Sequence, residues 1–219
     1  MRILRPLPAI ALFTLVTSTA APAQVRVGVL GDLNRSGMSG DAPKDFSYSR
    51  RTAIGFGLVG ELRLADEVWL SVQPTLLPRG AGIQYKYEGD QDPTKIGTLE
   101  LSYVAVPVLA KFETAGNHVY VVSGINFSFL TGADLVPEGV EDGAVDVKSF
   151  FRNIDFAVDF GVGGQLPLGP VDIMLEARYE QGILNTLEEG VDVEALNARL
   201  RSSGLQLLAG VLLTLGGGR

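Results

Sequence analysis

The sequence predicts an all-β fold, an eight-stranded antiparallel transmembrane up-and-down β-barrel. Three observations point to it: repeated apolar–polar alternation, connections that run alternately long and short, and the lack of an apolar run long enough for a membrane helix. With 219 residues, 46% hydrophobic and 20% charged, the chain can bury one sizeable domain and is too apolar to be disordered.

The first 23 residues read as a removable export leader. Arg2 and Arg5 carry the charge, residues 10–16 are mostly apolar, and Ala21-Pro22-Ala23 forms an A-x-A site before Gln24. The expected organisation is therefore a leader over 1–23 and a barrel domain over 24–219. Beyond the leader the longest apolar stretch is 207–215, broken by Gly210 and Thr214, against the ~20 residues a membrane helix needs. A closed barrel crosses a bilayer without such a helix, because closure satisfies every backbone group.

Composition removes further classes. No cysteine is present, which excludes disulfides, thiolate metal sites and cysteine nucleophiles. The formal net charge of −7 becomes more negative once Arg2 and Arg5 leave, so nucleic acid is not an expected partner.

Period-two alternation marks strands at 25–31, 53–64, 68–78, 98–112, 118–130, 151–165, 170–181 and 204–215. The sixth is the clearest: Ile154, Phe156, Val158, Phe160 and Val162 alternate with Asn153, Asp155, Ala157, Asp159 and Gly161. The seventh sets Val171, Ile173, Leu175, Ala177 and Tyr179 against Asp172, Met174, Glu176, Arg178 and Glu180. In the fourth, Glu100 and Ser102 share a parity with Val104, Val106 and Val108, which calls for a bulge near Leu101. Trp69 and Tyr120 fall on the inward parity.

Alternation alone fits a soluble sandwich or carrier as well as a membrane barrel. Connection length separates them, since long links of about 20 residues alternate with short ones of about 3 to 5. Residues 32–52, 79–97, 131–150 and 182–203 become extracellular loops. Residues 65–67, 113–117 and 166–169 become periplasmic turns.

On this register the charges facing the lumen are Arg26, Glu61, Arg63, Lys111, Asp155, Asp159, Glu176, Arg178 and Glu180, four positive against five negative. The interior of an eight-stranded barrel is just wide enough for side chains to fill it, so these residues are expected to pair into a plug. A rearranging pair that opens a narrow ion path is the alternative.

Catalysis would have to use the single histidine, His118, at the start of the fifth strand, where a solvated turn residue is the expectation. Gly161-Val162-Gly163-Gly164 resembles a dinucleotide loop, but no helix pattern follows, and small inward residues in a crowded barrel account for it. Asp134, Glu138, Glu141, Asp142 and Asp146 against Lys148 match no calcium-loop spacing and read as a solvated acidic loop. No cofactor and no metal are expected. Val191, Ala195, Leu196 and Leu200 are spaced for a short amphipathic helix over the barrel mouth.

Several stretches resemble the PorT-like family of bacterial outer-membrane beta-barrel proteins. Leu101-Ser102-Tyr103-Val104-Ala105-Val106-Pro107-Val108-Leu109-Ala110-Lys111-Phe112 is similar to that family's Tyr-Leu-Glu-Ile-Pro-Leu-Leu-Leu-Lys strand, with Ala105 in place of the acidic residue. Ser71-Val72-Gln73-Pro74-Thr75-Leu76-Leu77 before Gly80 resembles the third strand. Arg178-Tyr179-Glu180-Gln181-Gly182-Ile183-Leu184-Asn185 resembles the Arg-Tyr-x-x-Gly-Leu segment of the seventh. The resemblance implies an eight-stranded barrel and supplies no catalytic residues.

The expected function is that of an integral outer-membrane protein of a Gram-negative cell, structural or surface-interacting and without catalysis. A narrow gated porin-like channel, a lipid-modifying enzyme and a soluble periplasmic carrier are the alternatives. Expected partners are outer-membrane lipids and lipopolysaccharide, with the barrel assembly machinery during insertion.

Overall fold

The computed structural model describes residues 24–39, 45–116, 118–140, 143–187 and 201–215. In chain order its strands are β1 (Val25–Ser39), β2 (Phe46–Ala65), β3 (Val68–Val72), β4 (Thr75–Tyr85), β5 (Thr94–Glu113), β6 (Val119–Pro137), the two-residue β7 (Val145–Asp146), β8 (Ile154–Leu168), β9 (Val171–Gly182) and β10 (Arg201–Leu215). A single turn of 3-10 helix, Lys148–Phe150, precedes β8.

β3 and β4 are two halves of one stave, parted at Gln73-Pro74, where proline has no N–H for the ladder. Both halves lie between β2 and β5. The wall then continues through β6, β8, β9 and β10, and β1 pairs with β10 from Val25↔Leu215 to Ser39↔Arg201. Eight antiparallel staves thus close into a ring.

The alternation explains which way the wall faces. Val29, Ile54, Phe56, Leu58, Leu76, Phe160, Leu175, Leu207 and Val211 point outward and are exposed. Arg79, Lys111, Arg178, Glu61, Asp159 and Glu180 point inward and are buried. A soluble barrel would reverse these faces. An exposed apolar belt around a charged interior is stable only in lipid, which contradicts the soluble-carrier alternative.

The three short turns lie where the alternation predicts, after β2, β5 and β8. The long connections are shorter than expected. β1 and β2 take up most of 32–52, β4 and β5 most of 79–97, and β6 runs on to Pro137. Pairing continues beyond the lipid, where outward positions meet water and the apolar half of the pattern disappears. The expected bulge near Leu101 is also absent from β5, whose odd residues stay inward from Leu99 to Lys111. The extra residue is Thr131 on β6, between Ser102↔Gly132 and Tyr103↔Leu130. Glu100 and Ser102 simply stand above the belt. The leader, the loop residues Glu141 and Asp142, and the helix expected over Val191, Ala195, Leu196 and Leu200 lie outside the described residues.

Two apolar clusters frame the interior. Leu30, Val59, Leu109, Tyr120, Val122, Met174, Leu208 and Leu212 pack within the barrel. Toward the long connections Leu99, Leu101, Tyr103, Leu130 and Ala133 meet Phe151 and Leu187, which form an isolated bridge to each other.

Candidate functional site: the charged lumen

The lumen is built from inward residues of every stave, stacked in three layers. Nearest the short turns, Arg26 on β1 reaches Glu61 on β2 at 3.2 Å and also pairs with Glu113. Lys111 on β5 binds Glu61 at 2.9 Å and donates to Gln165 on β8. Gln165 in turn donates to Asp172 on β9 at 3.1 Å, as does Thr214 at 3.2 Å. Aromatic rings seat both cations: the Arg26 guanidinium lies 3.7 Å from the Trp69 ring centre and Lys111 Nζ 4.1 Å from that of Tyr120.

In the middle layer, Tyr120 donates to Glu176 at 3.0 Å. Arg178 donates to Glu176 and, at 2.6 Å, to Gln73. Its Nη1 stands 3.8 Å from Asp159. The third layer centres on Arg79, which pairs with Glu180 at 2.6 Å and Asp155 at 3.2 Å and donates to Ser128 at 3.0 Å. Asn126 donates to Glu180 at 2.8 Å and Ser202 to Asp155 at 3.1 Å.

Eight of the nine lumen residues read from the sequence thus come together. Arg63 does not: it is 39% exposed and pairs with Asp66 in the adjoining turn. Its parity is inward, but its position at the strand end lets the side chain leave the lumen. Arg79, which falls in the predicted loop 79–97, takes its place on β4. Inward parity through Ser71, Gln73, Thr75 and Leu77 was the signal that would have found it. Gly80 has φ +143°, and a β-carbon there would meet the Leu99 carbonyl oxygen at 2.0 Å, so only glycine brings β4 this close to β5.

The expected near balance of charge also needs correcting. Among the described residues the buried carboxylates are Asp32, Glu61, Asp155, Asp159, Asp172, Glu176 and Glu180, and the lumen cations are Arg26, Arg79, Lys111 and Arg178. Acid is in excess. Neither oxygen of Asp159 has a hydrogen-bond donor, and Asp32 and Asp155 each keep one such oxygen.

Each of Glu61, Arg79, Lys111, Asp155, Asp159, Glu176, Arg178 and Glu180 is at most 4% exposed. A water-filled bore would expose them. At the short-turn end a cavity of about 250 Å³ opens, lined by Arg26, Glu113, His118, Gln165 and Asp172. His118 itself is an exposed turn residue with φ 53°, and its carbonyl accepts from Gln165 N at 2.7 Å. Among the described residues no three histidine or acidic side chains are arranged to hold a metal.

The comparisons with known proteins bear on the fold. The family described as outer membrane protein beta-barrel domain matches residues 18–188. The outer membrane protein OprG from Pseudomonas aeruginosa superposes with a TM-score of 0.51 at 11% identity, covering 90% of this chain and 96% of that one. The Neisserial surface protein A gives a TM-score of 0.47 at 16% identity, over 85% of this chain and 96% of its own. No curated protein sequence matches the chain. The chain belongs to the outer membrane protein beta-barrel domain family and resides in the outer membrane.

Proposed function

We propose that this is a sealed barrel, structural or surface-interacting, with no catalytic activity and with its long connections on the cell exterior. The observation that carries the reading is the continuity of the three lumen layers. Each layer is cross-linked by at least one buried cation, and the apolar cluster around Phe151 and Leu187 lies above them. Specificity then belongs to the loops, on a rigid scaffold that holds them in place. Lipids and lipopolysaccharide are the partners of the wall, the assembly machinery is the partner during insertion, and the net charge of −7 argues against nucleic acid.

The narrower kinship with the PorT-like family is supported by the strand segments that carry the resemblance, since Leu101–Phe112 falls within β5 and Arg178–Gly182 within β9. A narrow gated pore is the second reading. It is favoured by one observation, the excess of lumen carboxylates, which would draw cations if the layers parted.

Planar-bilayer recording separates the two. The sealed barrel gives no conductance steps from the purified protein, while reproducible cation-selective steps would establish the pore.

A further inference from the structure

Arg63, which leaves the lumen, has its own set of contacts at the short-turn rim. The register of β2 on β3 shifts between Arg63 and Ala65, an irregularity of the kind that re-aims a side chain. The guanidinium folds over the adjoining turn. Its Nε donates to the Ala65 carbonyl at 3.3 Å, and its Nη2 donates to the carbonyl and to Oδ1 of Asp66 at 3.1 and 3.3 Å. These bonds fix the plane of the group and turn Nη1 toward Oε1 of Gln24, to which it donates at 3.4 Å. The main chain holds the same two residues together, since Arg63 N donates to the Gln24 carbonyl at 3.0 Å.

Gln24 is also the residue that follows the Ala21-Pro22-Ala23 site. Cleavage there turns its backbone nitrogen into a free α-amine, which stands within reach of its own side-chain carbonyl.

We infer that removal of the leader after Ala23 is followed by closure of Gln24 to pyroglutamate, and that Arg63 promotes the closure. The inference rests on the leader read from the sequence. The α-amine adds to Cδ of Gln24, so that a C–N bond forms and the bond from Cδ to Nε2 breaks. Ammonia leaves with the proton the amine gives up, and nothing is oxidised or reduced. An α-amino group titrates at about 7.7–8.0, so a neutral, nucleophilic fraction exists near neutral pH. Negative charge grows on Oε1 as the amine adds. A guanidinium N–H already aimed at that oxygen stabilises it, as the donors of an oxyanion hole do. The backbone bond from Arg63 anchors the Gln24 carbonyl beforehand, so part of the ordering precedes the reaction. The product carries a neutral lactam where an ammonium would stand beside Arg63.

The test starts from the protein in purified outer membranes. A protease that cuts before aspartate releases residues 24–31, whose mass should be that of the peptide less one ammonia. A fragment that begins at Gln24 with its glutamine intact overturns the inference. A fragment that begins elsewhere overturns the leader reading, and the inference with it. The part played by Arg63 is read from the mature chain refolded in detergent behind a removable tag, with ammonia loss followed by mass once tag removal exposes Gln24. Because Arg63 is partly exposed to water, the expected effect is a severalfold one: the folded wild type closes faster than folded Arg63→Gln and faster than a free peptide of residues 24–31, and Arg63→Lys recovers part of the difference. Equal rates in wild type, Arg63→Gln and peptide would remove Arg63 from the reaction. A heat-dependent gel shift run on each variant shows that it is folded when its rate is measured.

Discussion

Tyr120 on β6 lies directly opposite Gly163 on β8, and a β-carbon on Gly163 would stand 2.4 Å from the phenol ring. The glycine is the space in which the ring lies. Tyr120 joins two lumen layers there, seating Lys111 against its face and donating its hydroxyl to Glu176.

Gly163→Val should therefore disrupt the interior and not merely stiffen the wall. Overpacking costs about 1–3 kcal/mol where neighbours can shift, and here the neighbour is a ring held at both face and hydroxyl. The expected outcome is a reduced folded fraction on refolding into detergent, read from the unboiled band on a gel. Gly163→Val combined with Tyr120→Ala should recover part of it.

Arg178→Ala and Arg63→Ala distinguish lumen charge from rim charge. Removing the buried Arg178 strands Glu176 and Asp159, and breaking such a pair costs about 3–5 kcal/mol, so the unfolding temperature in detergent should fall clearly. Arg63 shares its charge with an exposed Asp66, and its loss should change stability by no more than about 0.5 kcal/mol. Equal effects would remove Arg178 from the network.

Val211→Arg probes the outer face. Val211 is exposed on β10 and pairs with Val29 near the middle of the apolar belt. An arginine near the bilayer midplane costs about 2–4 kcal/mol in a membrane barrel, but it would be harmless on a water-facing wall. Reversible unfolding from lipid vesicles should show the loss.

How far these sites were readable in advance differs from residue to residue. Parity alone placed Trp69, Lys111, Asp159 and Tyr120 inward, because one face of each strand must meet lipid and a one-residue slip would turn every charge into it. Parity carries no depth, however, so Arg63 read the same as Glu61 although only Glu61 lies deep enough to be enclosed. Arg79 was hidden for a different reason: the Pro78 and Gly80 beside it are turn residues by composition, and only the closeness of β4 to β5 explains why a strand tolerates them. The strand extensions beyond the belt carried little signal, since their outward positions meet water and buried inward positions such as Asp32, Asn34 and Ser36 are polar, so no apolar alternation marks them. Glu100 and Ser102 were legible as polar residues facing outward. A bulge within β5 was the wrong explanation, since the extra residue beside Ser102 is Thr131 on β6 and the belt ends below Glu100 and Ser102.

The claim on which the rest depends is that this wall faces lipid and encloses its charge. Gel mobility of the protein from purified outer membranes, with and without boiling, tests it most directly. The account predicts a compact, fast-migrating band that slows on boiling, because a closed barrel resists detergent until heated. An unshifted band, with the protein recovered in the soluble periplasmic fraction, would contradict it.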